Sequence, residues 1–187
     1  MRKHIPNILT MIRFMIVPLF VYSIFVMDRA YAAYYSLIFF VVASITDYID
    51  GTLARRWNVV SDFGKIMDPL ADKVLVLSAL AGLVWMPPYR LSPAIFFIIL
   101  IREAGITFLR EVYQRKGIVV AADKLGKLKT VMQMTGIIFA LAAWAYLPEI
   151  SNALRMGVSI WFWLVVGITL LSGINYLKAM LPGRKDG

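Results

Sequence analysis

Six apolar stretches of about 20 residues or more, separated by short polar breaks, dominate the chain. An α-helix of about 20 residues spans the roughly 30 Å hydrocarbon core of a bilayer, so each stretch is long enough to cross. Hydrophobic residues make up 60% of the chain, above the roughly 45–50% of a soluble domain. We therefore predict an all-α fold, a polytopic membrane bundle of six transmembrane helices that forms one integral-membrane domain over residues 1–187. The stretches cover residues 6–27, 31–54, 66–86, 92–113, 128–147 and 153–177.

The distribution of basic residues predicts the orientation of this bundle. Fourteen of the 20 Lys and Arg residues lie at the two termini, or in the second and fourth connections and the adjoining helix ends. Basic residues of short connections are retained on the cytoplasmic side of a membrane. We therefore expect both termini to be cytoplasmic, which agrees with an even number of spans. This orientation also places the connection near residues 55–65 on the cytoplasmic face, within reach of a water-soluble reactant.

Four aspartates lie within 26 positions, where the second and third stretches meet that connection. A carboxylate in the hydrocarbon core costs roughly 2.5–3.5 kcal/mol, and less near the interface, so such a cluster needs compensating cations. The chain has no cysteine, which excludes thiolate metal ligands and leaves carboxylates to bind a hard divalent cation. On helices, the spacing forms two faces that could hold cations between them. The first face carries Asp47, Asp50, Gly51 and Ala54, and the second carries Gly64, Asp68 and Asp72.

Two other interpretations of the acidic cluster follow from the residues alone. The aspartates could form structural ion pairs with Arg55, Arg56 and Lys73. They could also form the conduction site of a divalent-cation transporter. A transporter would need carboxylates along a path across the membrane, whereas these four cluster near one face. The transporter is therefore the weaker alternative.

The aspartates belong to a motif of eight fixed positions, Asp47-x2-Asp50-Gly51-x2-Ala54-Arg55-x8-Gly64-x3-Asp68-x3-Asp72. At every one of these positions the chain resembles the signature of the CDP-alcohol phosphotransferase family. The similarity extends to three flanking segments, which resemble the family members that use sn-glycerol 3-phosphate. These segments are Ile5-Pro6-Asn7-Ile8-Leu9-Thr10-x2-Arg13, Ile101-Arg102-Glu103 with Arg110, and Leu125-Gly126-Lys127-Leu128-Lys129-Thr130.

The resemblance implies an enzyme that transfers the phosphatidyl group of CDP-diacylglycerol to sn-glycerol 3-phosphate by direct in-line displacement of CMP. It implies a two-metal site for Mg²⁺ or Mn²⁺, since both suit oxygen ligands and neutralise charge on a transferring phosphoryl group. It also implies a homodimer in the bacterial cytoplasmic membrane, in contact with membrane lipids, with its active site facing the cytoplasm. No nucleic acid is expected. Inositol phosphate, phosphatidylglycerol and serine stay open as alternative acceptors within the same family.

The resemblance further implies roles for the motif residues. Asp47, Asp50 and Asp68 would ligate metal, and Asp72 would share that site and act as general base toward the acceptor hydroxyl. Small residues would admit the cytidine end of the lipid substrate, and Arg55 would pair with its phosphate. Those small residues are Gly51, Ala54 and Gly64.

The acceptor carries a phosphate of its own, so it needs fixed positive charge. Arg110, Lys127 and Lys129 are the leading candidates to bind it. Arg13 and Thr10 lie three positions apart on the first helix and would add a wall to the same cavity. Each of the three leading cations could instead serve topology and lipid attraction, because basic residues near a cytoplasmic connection commonly do.

Overall fold

The chain forms six α-helices in the part that the structure describes, and no strand occurs there. The structure is a computed structural model, and it describes the backbone of residues 5–57, 62–115 and 124–180. Side chains are described for residues 11–49, 52, 70–114 and 125–178. The helices are α1 (Ile5–Phe25), α2 (Arg29–Trp57), α3 (Asp62–Trp85), α4 (Pro93–Arg115), α5 (Lys124–Tyr146) and α6 (Asn152–Met180).

Each apolar stretch predicted from the sequence coincides with one helix, so the all-α fold is confirmed. The helices extend past the apolar runs where α2 ends and where α3 begins. Helix α2 continues to Trp57, and α3 begins at Asp62, four positions before the predicted start at residue 66. Both extensions consist mainly of motif residues and their polar neighbours, so the motif is carried on helical backbone at each end of the connection.

Three of the described helices contain a segment long and apolar enough to cross a membrane. These segments are Arg29–Ile49, Leu125–Tyr146 and Asn152–Lys178. Helix α1 contributes a shorter apolar segment, Met11–Phe25. The apolar helices indicate a membrane protein, and six spans with cytoplasmic termini stay a prediction.

The helices group into two compact units. Unit 1 comprises Met1–Arg90 and Ile137–Ile150, and unit 2 comprises Leu91–Gly136 and Ser151–Gly187. Helices α1, α2 and α3 therefore belong to unit 1, whereas α4 and α6 belong to unit 2. The division falls within α5, after Gly136.

In unit 1, α1 and α2 pack antiparallel along what we term the α1/α2 seam. Three contacts define it, and from one contact to the next the α1 partner comes earlier in the chain while the α2 partner comes later. The Oγ atoms of Ser23 and Ser36 lie 2.8 Å apart, and the rings of Phe20 and Phe40 have centroids 5.8 Å apart. The third contact joins Arg13 to Asp47. Both phenylalanines and both serines are fully buried, so the seam fixes the relative rotation of the two helices.

Tyr89 fastens the connection between α3 and α4 within the same unit. Its hydroxyl donates a hydrogen bond of 2.8 Å to the carbonyl oxygen of Ala140 on α5. The side chain is 5% exposed, and burial raises the pKa of Tyr89 to about 12. The phenol therefore stays neutral and able to donate this bond at physiological pH.

In unit 2, the first half of α5 packs against α6. A Cβ atom on Gly136 would lie 2.5 Å from Nε1 of Trp161 and 3.2 Å from the ring of Phe162. The same indole nitrogen donates a hydrogen bond of 3.0 Å to the carbonyl oxygen of Met132, one turn earlier on α5. Glycine at position 136 is what lets the two aromatic rings approach the helix backbone this closely.

Candidate active site

The eight motif positions lie on two helices of unit 1. Positions 47, 50, 51, 54 and 55 are on the backbone of α2, and positions 64, 68 and 72 are on that of α3. The helical spacing places the two sets of carboxylates on one face of each helix, as the sequence predicts. Only the side chains of Asp47 and Asp72 lie among the described residues. Those of Asp50, Arg55 and Asp68, and the surroundings of Gly51, Ala54 and Gly64, lie outside them.

Asp47 is held by an arginine from the neighbouring helix. Nη1 of Arg13 donates to Oδ1 of Asp47 across 2.9 Å. The two partners differ in exposure, because the Arg13 side chain is 1% exposed and the Asp47 side chain 40%. A buried guanidinium therefore contacts a carboxylate that still reaches the surface of unit 1.

Asp72 lies one turn before the core of α3. Its neighbours Ala71 and Leu75 are buried, and Asp72 itself is half-buried. Among the described residues no cluster of three acidic or histidine side chains forms, since two of the four motif aspartates are outside that part.

The described donor set fits a hard divalent cation. Asp47 and Asp72 offer only oxygen atoms, and both keep exposed surface through which an ion could enter. Carboxylate oxygens are the ligands that Mg²⁺ and Mn²⁺ prefer in proteins. Asp47, Asp50, Asp68 and Asp72 are the residues that would hold such ions.

The predicted acceptor-binding cations of α4 and α5 belong to unit 2, where their surroundings differ. Arg110 is exposed, and its Nε donates to the hydroxyl of Tyr176 across 3.3 Å, with the guanidinium 5.7 Å from the centre of that ring. Lys127 is also exposed. Lys129 is 6% exposed and forms an ion pair with Glu103. Thr10 lies on the backbone of α1, and its side chain is outside the described residues.

Glu103 sits at the centre of a polar cluster that joins all three helices of unit 2. Its Oε1 atom accepts a hydrogen bond from the ammonium of Lys129 and another, of 3.2 Å, from Nη1 of Arg102. Nη2 of Arg102 donates to the hydroxyl of Ser172 on α6 across 2.8 Å. We refer to Arg102, Glu103, Lys129 and Ser172 as the α4–α5–α6 polar cluster.

Sequence reasoning missed several of these partners. It assigns no partner to Glu103, and it names neither Ser172 nor Tyr176. The two α6 residues are four positions apart and therefore share a helix face, which is the signal that could have revealed them. Polar side chains on one face of an apolar helix indicate polar partners on a neighbouring helix.

Comparison with known proteins identifies the family. A family profile described as CDP-alcohol phosphatidyltransferase matches residues 3–171, which is most of the chain. The chain belongs to this family. Members of the CDP-alcohol phosphatidyltransferase family generally depend on a divalent metal, in agreement with the oxygen donors of the motif.

Several curated members of the CDP-alcohol phosphatidyltransferase family are similar to the chain. Three of them carry the name CDP-diacylglycerol–glycerol-3-phosphate 3-phosphatidyltransferase. The Rickettsia typhi protein is 34% identical over 179 residues, which cover 95% of this chain and 97% of that protein. The Bacillus subtilis protein is 40% identical over 142 residues, covering 75% and 70% respectively. The Mycoplasma genitalium protein is 40% identical over 122 residues, covering 65% of this chain and about half (51%) of that protein.

Proposed function

We propose that the protein is a phosphatidylglycerophosphate synthase, which transfers the phosphatidyl group of CDP-diacylglycerol to sn-glycerol 3-phosphate and releases CMP. The observation that carries this proposal is the complete eight-position motif on two adjoining helices, together with similarity over almost the full length of relatives that bear this name. The Rickettsia typhi and Bacillus subtilis proteins are the strongest support, because similarity covers most of both partners.

The reaction is a single displacement at the lipid phosphorus. The acceptor hydroxyl forms a new P–O bond, the P–O bond to CMP breaks, and CMP leaves with the electron pair. Asp72 accepts the proton of the hydroxyl, a role that suits a half-buried carboxylate four positions after Asp68 on the same helix. Two Mg²⁺ or Mn²⁺ ions, when bound, would neutralise charge on the diphosphate. Gly51, Ala54 and Gly64 leave room for the cytidine, and Arg55 pairs with its phosphate.

Arg110 and Lys127 are the cations best suited to the acceptor phosphate, because both are exposed. The hydrogen bond to Tyr176 orients the Arg110 guanidinium, which reduces the entropy lost when a phosphate binds. Lys129 contributes charge from within its ion pair with Glu103. The enzyme operates as a multi-pass homodimer in the bacterial cytoplasmic membrane, with six spans and its active site on the cytoplasmic side.

Purified protein supplied with CDP-diacylglycerol, Mn²⁺ or Mg²⁺ and a panel of alcohols tests the activity and its acceptor together. We expect CMP release and lipid product with sn-glycerol 3-phosphate, and far less with inositol phosphate, phosphatidylglycerol or serine. EDTA should abolish the product, and added metal should restore it. A different preferred acceptor would keep the family and overturn the assignment of substrate.

Asn substitutions of the motif aspartates test the site itself. Asp47→Asn, Asp50→Asn, Asp68→Asn and Asp72→Asn each keep the shape of the side chain and remove the charge. Each should lower kcat/KM by at least tenfold to a hundredfold, because a direct metal or base role contributes about that much. Asp28→Asn is a matched control, since Asp28 lies in the connection between α1 and α2, outside the motif. Activity above about a tenth of wild type in any motif variant would contradict the role given to that residue.

A further inference from the structure

Arg13 is a buried charge on a helix whose other described side chains are uncharged. Its side chain is 1% exposed and donates to Asp47, the first aspartate of the motif. A charged side chain withdrawn from water is costly unless hydrogen bonds and an opposite charge compensate it. The ion pair with Asp47 supplies such an opposite charge and joins the two side chains.

This burial conflicts with the role that the sequence suggests for Arg13. A phosphate in water needs direct access to the N–H groups of its cation, and a side chain with 1% exposure offers almost none. Asp47, in contrast, is 40% exposed. The accessible member of the pair is the carboxylate, so the pair presents a negative group and not a positive one.

The α1/α2 seam explains why the arginine points at this carboxylate. The contacts Ser23–Ser36 and Phe20–Phe40 fix the rotation and register of the two helices. Counting seven positions back from Phe20 and seven forward from Phe40 reaches Arg13 and Asp47, which are therefore the next pair on the same packed face. The buried contacts of the seam therefore bring the helix positions of Arg13 and Asp47 next to each other.

We propose that Arg13 is a positioning residue for Asp47, which holds that carboxylate in the orientation that binds the metal, and that it is not a ligand of the acceptor phosphate. The inference rests on the proposed metal-binding role of Asp47. Removing a residue that orients a metal ligand commonly lowers metal affinity by about 10-fold to 100-fold. A guanidinium is suited to this task because its planar, forked donors constrain a carboxylate more than an ammonium does.

Electrostatics alone would change metal affinity in the opposite direction when Arg13 is removed. A positive charge next to a metal ligand repels the metal, so an Arg13 that acted only through its charge would weaken metal binding, and removing it would tighten that binding. An Arg13 that acts by orientation strengthens metal binding, and removing it loosens that binding. The direction of the change therefore separates the two roles.

The test measures Mn²⁺ affinity of the purified full-length protein without either substrate, by electron paramagnetic resonance of free Mn²⁺. We expect Arg13→Gln to raise the Kd for Mn²⁺ by about 10-fold to 100-fold. Arg13→Lys keeps the charge that the buried site requires and loses the forked donor, so it should fold and show an intermediate increase. Thr135→Ala removes only a hydrogen bond within α5, outside the α1/α2 seam, and should leave Mn²⁺ affinity unchanged.

Acceptor kinetics at saturating Mn²⁺ complete the test. The KM for sn-glycerol 3-phosphate should stay within about twofold of wild type in both Arg13→Gln and Arg13→Lys, whereas loss of a true phosphate ligand in Arg13→Gln would raise it by at least about tenfold. An unchanged or tighter Mn²⁺ affinity in both Arg13 variants would overturn the proposal. Failure of the proposed function would look different: wild-type protein would bind Mn²⁺ with the same dependence on Arg13 and form no lipid product.

Discussion

Two lysines of α5 that are two positions apart meet different surroundings. Lys127 is exposed, whereas Lys129 is 6% exposed and is paired with Glu103 in the α4–α5–α6 polar cluster. Residues two positions apart on a helix point in different directions, so equal charge at the two positions does not mean an equal role. Lys127 is available to an acceptor phosphate, and Lys129 also stabilises the packing of unit 2.

Gln substitutions should therefore separate binding from stability. Lys127→Gln and Arg110→Gln should raise the KM for sn-glycerol 3-phosphate by roughly 10-fold to 150-fold, because a charge-assisted hydrogen bond is worth about 1.5–3 kcal/mol. Lys127→Gln should leave the Tm nearly unchanged, and Arg110→Gln should lower it only by what the contact with Tyr176 contributes. Lys129→Gln should raise this KM and also lower the Tm, because it removes the ion-pair partner of Glu103 from a partly buried site.

A double-mutant cycle is the control for Lys129. Lys129→Gln combined with Glu103→Gln removes both charges and should recover part of the lost stability. If Lys127→Gln and Arg110→Gln both keep the wild-type KM, the acceptor phosphate binds elsewhere. An unchanged Tm in Lys129→Gln would contradict a stabilising role for the ion pair.

At the scale of helices, the apolar stretches are enough to predict each of the six elements. They do not predict which side chains of one helix contact which side chains of another. The sequence correctly places the motif carboxylates on α2 and α3, because helix periodicity alone decides which positions share a face. It does not reveal that Arg13 meets Asp47, or that Lys129 meets Glu103 26 positions away. Those contacts depend on how one helix is rotated against another, which is decided by packing of side chains such as Phe20 and Phe40.

Gly136 makes such a packing contact testable. A methyl group added in Gly136→Ala would lie 2.5 Å from the Trp161 indole, so the ring must move and give up its hydrogen bond to Met132. Overpacking of this kind typically costs about 1–3 kcal/mol, and we expect a lower Tm in detergent. Gly167→Ala on α6 is the matched control, because an added Cβ there meets nothing within 4 Å. Equal Tm values for the two variants would show that the ring adjusts without cost.

At the scale of the whole molecule, the division into units assigns the proposed chemistry to different parts of the chain. Unit 1 contains all eight motif positions and Arg13, whereas Arg110, Lys127 and Lys129 belong to unit 2. The motif and the metal-positioning contact thus arise from local packing of α1, α2 and α3. Of the proposed acceptor cations, Lys129 belongs to the α4–α5–α6 polar cluster and Arg110 contacts Tyr176 of α6. Substitutions in each unit should therefore alter kinetics for a different substrate.

Topology is the whole-molecule property that charge distribution predicts, and the absence of cysteine makes it measurable. With six spans and cytoplasmic termini, single cysteines in Asp28→Cys and Glu149→Cys should react with a membrane-impermeant maleimide in intact spheroplasts. Asn58→Cys and Ala121→Cys lie in the basic second and fourth connections and should react only after permeabilisation. The parent protein should not react at all. Labelling of Asn58→Cys from outside would place the motif on the wrong side for a cytoplasmic acceptor, and would overturn the orientation.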